Sequence, residues 1–243
     1  MPQAIKYFIP TSVAKKICDL RNKLFDGYTK KSYSQEGEDL VLARMFDNLN
    51  ITKGFFVDIG AHHPARFSNT YYFYRRGWRG INVDALPGTK KLFERVRSRD
   101  ITIECGVGIK NGVLKYFAFN EPALNTFSEQ EANKKNVPPY HIVNTLQIPV
   151  VTLKKILDDN LPHGTTIDFM TIDVEGFDHE VISSNNWDLY RPRIILIELL
   201  NSGIKNLEMH PTSQLLESYN YRIFAKTYNT FFFVSNEVFP QNA

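Results

Sequence analysis

From residue 54 onward, short apolar runs alternate with helical or turn-rich segments, and this alternation constrains the fold more than any other feature. The runs fall at 55–59, 81–83, 101–105, 167–172 and 194–199, separated by helical or turn-rich stretches at 68–76, 87–98, 152–159 and 176–186. Strands alternating with helices require right-handed crossovers and a parallel sheet covered on both faces. The end of the chain departs from this rhythm. Leu215, Leu216 and Tyr219 predict a helix, and Tyr221–Lys226 and Phe231–Ser235 read as strands joined by the turn Thr227-Tyr228-Asn229-Thr230. A hairpin there makes at least one strand antiparallel. The expected class is α/β, a three-layer sandwich around a mostly parallel sheet that ends in an antiparallel hairpin.

Ahead of this body, Val13, Ile17, Leu20 and Leu24 recur at helical spacing between lysines, which predicts an amphipathic helix over 11–26 ended by Gly27. A second helical pattern, Leu42, Met45, Phe46 and Leu49, follows Ser32-Tyr33-Ser34-Gln35-Glu36-Gly37-Glu38-Asp39. Ser32 with Gln35 suits a capping box, and Glu36 and Glu38 suit a helix start. The expected organisation is an N-terminal helical segment over 1–50 that packs on a core domain over 51–243. An irregular insertion at about 119–147, rich in Asn, Pro and charge, is expected as a functional lid or a disordered loop.

Charge and cysteine usage narrow the function classes. Of the formal net charge of +3, residues 1–31 carry seven Lys or Arg against Asp19 and Asp26, so the remainder stands at −2. A slightly acidic body argues against nucleic acid as a partner. Cys18 and Cys105 make no disulfide framework and fit a reducing compartment. No apolar stretch reaches the ~18 residues of a membrane span, and the opening lacks the pattern of a signal peptide. A cytoplasmic protein is expected, in which the basic helix face is solvated.

The chemistry gathers where the runs end, because the carboxyl ends of parallel strands share one edge. The endings are Asp58-Ile59-Gly60-Ala61, Asp84-Ala85, Glu104-Cys105-Gly106-Val107-Gly108, Asp173-Val174-Glu175-Gly176 and Glu198. Asp84, 26 residues after Asp58, suits a carboxylate that grips the two hydroxyls of an adenosine ribose. The small residues around Gly106 leave room for a flat adenine. Asp173 and Glu175, two apart at a strand end, project to the same side, and close carboxylates need a cation, a proton or strong donors. Adenosine combined with positive charge describes S-adenosylmethionine. The competing reading, a nucleotide-binding oxidoreductase, normally shows a fuller G-x-G-x-x-G; here Gly60-Ala61 runs into His62-His63-Pro64, which crowds a pyrophosphate.

The sequence resembles the FkbM family of S-adenosylmethionine-dependent methyltransferases. The resemblance rests on Ser34-Gln35-Glu36-Gly37-Glu38-Asp39, Val57-Asp58-Ile59-Gly60-Ala61, Val83-Asp84-Ala85, Val151-Thr152-Leu153 and Ile172-Asp173-Val174-Glu175-Gly176, in that order over roughly 32–200. It implies a class I, Rossmann-like methyltransferase fold and O-methylation, often of sugars in glycans or natural products. Family members often carry His after the D-V-E-G run, where this chain has Phe177 and then His179. The stretch from His62 to Thr70 looks like a subgroup's version of the first loop.

Methyl transfer to a hydroxyl needs in-line positioning and a base or metal for the proton. Asp173, where the family fold faces the methyl, is the first candidate base. Glu175 and Glu198 are expected to position the hydroxyl, or to join Asp173 around magnesium or calcium, for which no ligand-spacing motif assigns residues. For the cofactor, the Gly60 and Ala61 amides are expected at the methionine part, Asp84 with Ala85 at the ribose, and Gly106 at the adenine. Asp58 orients the loop or the amino group. Gln35 and Asp39 either close over the methionine end or merely begin a helix. The acceptor candidates are His62, His63, Arg66, Asn69 and His179, with Asn125 and Thr126, followed by Phe127, as lid contacts. One of the two histidines is expected to be structural. Arg66, Arg75, Arg76 and Arg79 suit a diphosphate, whereas Cys105 is expected to be packing. The expected activity is O-methylation of a sugar hydroxyl, on a free or nucleotide-linked sugar in capsule or other surface-glycan synthesis, with S-adenosylhomocysteine as product. A natural-product or lipid acceptor, a non-catalytic interaction module and a homo-oligomer all remain compatible with the sequence.

Overall fold

The computed structural model describes residues 11–25, 27–199 and 209–239. The chain separates into two compact units, Met1–Ser32 and Tyr33–Ala243. In the first, helix α1 (Thr11–Phe25) fills the stretch where the amphipathic periodicity predicts one, and the Gly27 amide donates to the Asn22 carbonyl beyond it. Lys6 and Asp26 of the basic opening lie outside the described residues.

The second unit is built on a seven-stranded sheet. Its strands are β1 (Phe55–Ile59), β2 (Arg79–Asp84), β3 (Ile101–Glu104), β7 (Phe169–Ile172), β8 (Ile194–Glu198), β9 (Tyr221–Lys226) and β10 (Thr230–Ser235), in the order β3-β2-β1-β7-β8-β10-β9. Only β10 runs antiparallel, between β8 and β9. This is the class I methyltransferase arrangement that the resemblance implies. The chain leaves β1 toward β2 on one side and reaches β7 on the other, so a crevice opens beyond the carboxyl ends of β1 and β7.

Both faces of the sheet are covered, which is why its strands read as unbroken apolar runs. On one face Val57, Ile59, Met170, Ile172 and Ile195 pack with helices α6 (Leu153–Asn160) and α7 (Asp178–Ser183). On the other, Phe56, Phe169 and Leu196 pack with Phe73, Trp78 and helix α2 (Glu38–Asn48). Leu42, Met45 and Phe46 of α2 thus belong to the core itself. The capping box Ser32–Gln35 does not start this helix. It begins at Glu38 after Gly37, whose φ of 87° is left-handed, and Asp39 accepts from the Tyr33 amide (2.7 Å) and the Ser34 hydroxyl (3.0 Å). Of the helical stretch expected at 68–76, only α3 (Tyr71–Tyr74) forms; α4 (Thr89–Val96) and α8 (Pro211–Ser218) complete the layers. No helix among the described residues is long and apolar enough to cross a membrane.

The stretch around 119–147 is ordered, and it belongs to a second sheet. Strands β4 (Gly106–Val107), β5 (Gly112–Phe119) and β6 (Ile142–Val151) pair in the order β4-β6-β5. Between β5 and β6 lie a 3₁₀ turn, Pro122–Leu124, and helix α5 (Glu129–Lys135), capped by the Ser128 hydroxyl. The insertion is therefore an elaborated hairpin whose tip overhangs the crevice.

Candidate active site

A cavity of about 340 Å³ lies at the carboxyl ends of β1, β2, β7 and β8, within the size range of small-molecule sites. Its floor depends on Gly60. At φ +83° only glycine sits there without strain, and a Cβ would come 1.8 Å from the Asp173 carbonyl oxygen. The amides of Gly60 and Ala61 donate to the Val83 carbonyl at 2.9 and 3.0 Å, not into the cavity, and Ala61 is no part of its lining. The loop therefore contributes shape in place of the amide contacts expected from its sequence.

Asp84 ends β2 at the cavity wall, where Ala85 adjoins it. Its oxygens accept from the amides of His62 and Leu86, both at 2.8 Å, and burial still pushes its pKa up. Beyond it, Gly106, Cys105, Tyr116 and Phe127 form an apolar slot. A Cβ on Gly106 would lie 2.4 Å from the Phe127 ring, so the glycine lets that ring close the slot. Burial lifts the Cys105 thiol to about 11, which leaves it protonated packing.

At the other end stand the acids. Asp173, Glu175 and Glu198 each place a carboxylate oxygen within 4.8 Å of the others. Asp173 is open to the cavity yet deep in the protein, and burial followed by Glu198 and Glu175 drives its pKa well up. Asp173 and Glu198 lie close enough for a proton on Asp173 to raise the first and lower the second, while burial leaves Glu198 raised overall. Burial carries Glu175 to about 7 against the opposing pull of Lys135, its ion-pair partner from α5. Glu175 sits at φ 54°, and the Thr126 hydroxyl donates to its carbonyl at 2.8 Å. The turn after β7 is capped by Asp178, raised to about 8 by burial, which accepts from the amides of Val174 (3.3 Å) and Gly176 (3.2 Å). So many raised carboxylates, with Lys135 as their cationic partner, make the site one that a cation relieves. The three converging acids offer the hard oxygen donors that suit magnesium or calcium.

The remaining expected residues divide between lining and support. Gln35 lines the cavity; Asp39, fully buried, holds the turn that presents it. Asp58 faces the opposite side of the sheet from Ile59, where it accepts from the Thr70 hydroxyl at 2.6 Å, and burial lifts it to about 6. Thr70 in turn accepts from the fully buried Arg97 at 2.9 Å. Asp58 therefore supports the first loop from below. His62 lines the cavity, while Nδ1 of His63 accepts from the amides of Ala65 (3.1 Å) and Arg66 (2.9 Å) and shapes the loop. Arg66 lines the cavity and grips Glu121 of the insertion, which lines it too, through two bonds of 3.0 Å. Asn125 lines it too and accepts from the Phe119 amide at 2.8 Å. Asn69 instead donates to the Thr171 hydroxyl (3.0 Å) and lines a small adjoining cavity of about 20 Å³.

His179 is not brought to the cavity: it lies on α7 against Thr212 of α8, 3.3 Å away, because its helical position points along the outer layer. Nor are the arginines of a diphosphate clamp assembled. Arg75 donates to the Tyr33 hydroxyl, Arg76 stacks on Tyr72, and neither they nor Arg79 line the cavity. Sequence reasoning missed Glu121, Lys135 and Asp178, whose parts depend on how the insertion and the turn after β7 fold.

Comparison with known proteins places this geometry. The model of the methyltransferase FkbM domain matches residues 58–223. No curated protein matches the chain. Among solved structures, a TehB-like SAM-dependent methyltransferase from Corynebacterium glutamicum is similar at 9% identity and a TM-score of 0.40, over 92% of this chain and 99% of that one. An O-methyltransferase from Bacillus cereus in complex with SAH is similar at 10% identity and 0.40, over 94% and 92%. A 1,6-didemethyltoxoflavin-N1-methyltransferase from Burkholderia thailandensis is similar at 14% identity and 0.38, over 93% and 88%. The family match, spanning more than half of the chain, carries the assignment where these distant likenesses do not: the chain belongs to the FkbM methyltransferase family.

Proposed function

We propose that the chain is an S-adenosylmethionine-dependent O-methyltransferase acting on a sugar hydroxyl. The observation that carries this reading is the cavity with two unlike ends, an apolar slot beside Asp84 and a group of raised carboxylates at Asp173, Glu175 and Glu198. A cofactor joining adenosine to a sulfonium fits that polarity. Tyr116, Phe127 and Gly106 would hold the adenine, Asp84 the ribose, and Gln35 with the acids the methionine end. When bound, it supplies a methyl carbon activated by the positively charged sulfur.

The protein's own part is positioning and proton transfer. Asp173 in its ionised form accepts the acceptor's hydroxyl proton as the oxygen bonds to the methyl carbon and the carbon–sulfur electron pair stays with sulfur. Once protonated, Asp173 donates that hydrogen to the neighbouring Glu198, and Lys135 holds Glu175 aside. The Arg66–Glu121 pair ties the first loop to the insertion, and both line the cavity. A second reading, in which a divalent cation held by the three acids activates the hydroxyl, is favoured by their spacing.

Incubation with methyl-labelled S-adenosylmethionine and a panel of free and nucleotide-linked sugars tests the proposal. Label in a base-stable sugar ether is expected, and absence of cofactor binding by calorimetry sinks the whole reading. Turnover that collapses on chelation and returns with magnesium assigns the cation; turnover indifferent to chelator removes it.

A further inference from the structure

Two cavities meet at the acid end, and four residues, Gln35, Phe67, Asp173 and Glu198, line both. Three of them are polar. The fourth is an aromatic ring that belongs to none of the hydrophobic clusters of the core. Phe67 is 43% exposed, and its φ of 56° lies in the left-handed region that a bulky side chain rarely adopts. Such positions persist where the surroundings over-determine them, and they cluster at ligand sites. The surroundings do so here. The Arg66 guanidinium lies 4.3 Å from the ring centroid, the His62 ring runs nearly parallel at 6.4 Å and 20°, and Arg66 is itself fixed by Glu121.

The chemistry around this ring restricts what rests on it. The small cavity beside it is walled by Glu36, Glu38, Asp173 and Glu198, and no Lys, Arg or His lines it. A phosphate or carboxylate there would face four acids. That cavity, at about 20 Å³, has room for a hydroxyl and not for a ring, so what suits the Phe67 face beside it is an uncharged group with an apolar C–H face for the π surface and hydroxyls on its edge, one of them directed to the acids. A pyranose ring has that construction. We propose that Phe67 is the platform on which the acceptor's sugar ring lies, and that it determines acceptor specificity. Any phosphate of a nucleotide-linked acceptor then lies outside the small cavity, on the side of the ring where Arg66 and His62 line the larger one. The inference rests on the sugar-methylation reading above and names a residue for it.

Steady-state kinetics with the best sugar of the panel, on the full chain and on Phe67→Ala, Phe67→Leu and Phe67→Trp, tests it. Phe67→Ala is expected to raise the acceptor KM about tenfold, the equivalent of one stacked ring. Phe67→Leu, apolar without a π face, is expected to stay near Ala, and Phe67→Trp to return near the unaltered enzyme. The calorimetric Kd for S-adenosylmethionine is expected to hold within about twofold throughout, as a fold defect would not allow. An acceptor KM unmoved in Phe67→Ala, or a cofactor Kd that rises with it, overturns the platform while leaving sugar methylation intact. No sugar turned over by the unaltered enzyme overturns both.

Discussion

Gly60→Ala tests the claim that the first loop works by its shape. Two costs are expected. Alanine at φ +83° carries about 1–2 kcal/mol of backbone strain. Its methyl carbon, built 1.8 Å from the Asp173 carbonyl oxygen, further forces β1 and β7 apart at their ends, and overpacking of this kind costs roughly 1–3 kcal/mol. Gly88 supplies the control. Its φ is +96°, yet nothing lies within 4 Å of a Cβ there, so Gly88→Ala carries the strain alone. Urea denaturation is expected to show Gly60→Ala less stable than Gly88→Ala by about 1–3 kcal/mol. Calorimetry is expected to show weakened S-adenosylmethionine binding only in the first, because the carbonyl that must move belongs to the candidate base. Equal stability losses, or unchanged cofactor affinity in Gly60→Ala, would refute the argument from close approach.

Further outcomes follow from the same structure. The cofactor-free protein is expected to lose stability as pH rises. Asp58, Glu175 and Asp178, with folded pKa values near 6, 7 and 8, keep protons that their unfolded forms release at ordinary carboxylate values, so the folded state binds more protons from about pH 4 to 8. Melting curves across that range check this, and a rising melting temperature contradicts it. Lys135→Met removes the partner that opposes the rise of Glu175, so the variant should be destabilised more at pH 8 than at pH 6; the same melts compare the two. Asp173→Asn keeps the shape but not the base, and turnover should fall by roughly 10²–10⁴ while cofactor still binds. Arg66→Ala breaks a largely exposed pair, so stability should change by no more than about 1 kcal/mol. Stopped-flow cofactor dissociation should nevertheless quicken as the first loop loses its tie to the insertion.

How much of this was legible beforehand follows from what each element needs. Strands β1, β7 and β8 lie at the runs of 55–59, 167–172 and 194–199, because a strand buried on both faces must be apolar throughout. Strand β6 hid because half of its residues are exposed, Asn144, Gln147 and Pro149 among them, and its pairing with β5 depends on a hairpin whose tip holds a whole helix. In the site, the acids at strand ends could be placed by the topology of parallel sheets alone. Which side each faces could not: Asp58 turns to Thr70 while its neighbour Ile59 lines the cavity, as the alternation of a strand dictates once its register is known. Lys135 and Glu121 reach the site only through the folding of the insertion, which no local pattern announces.

The turn carrying Gln35 is tied down by residues from near the opposite end of the chain. Glu36 accepts from the Asn229 amide at 2.9 Å and Glu38 from the Thr230 hydroxyl at 3.1 Å, across separations of 193 and 192 residues. On a ribosome, the wall that Gln35 contributes is made early and anchored late. It acquires its ties only after β10 has been synthesised and has slipped between β8 and β9, so this wall of the cavity is complete no earlier than the sheet itself.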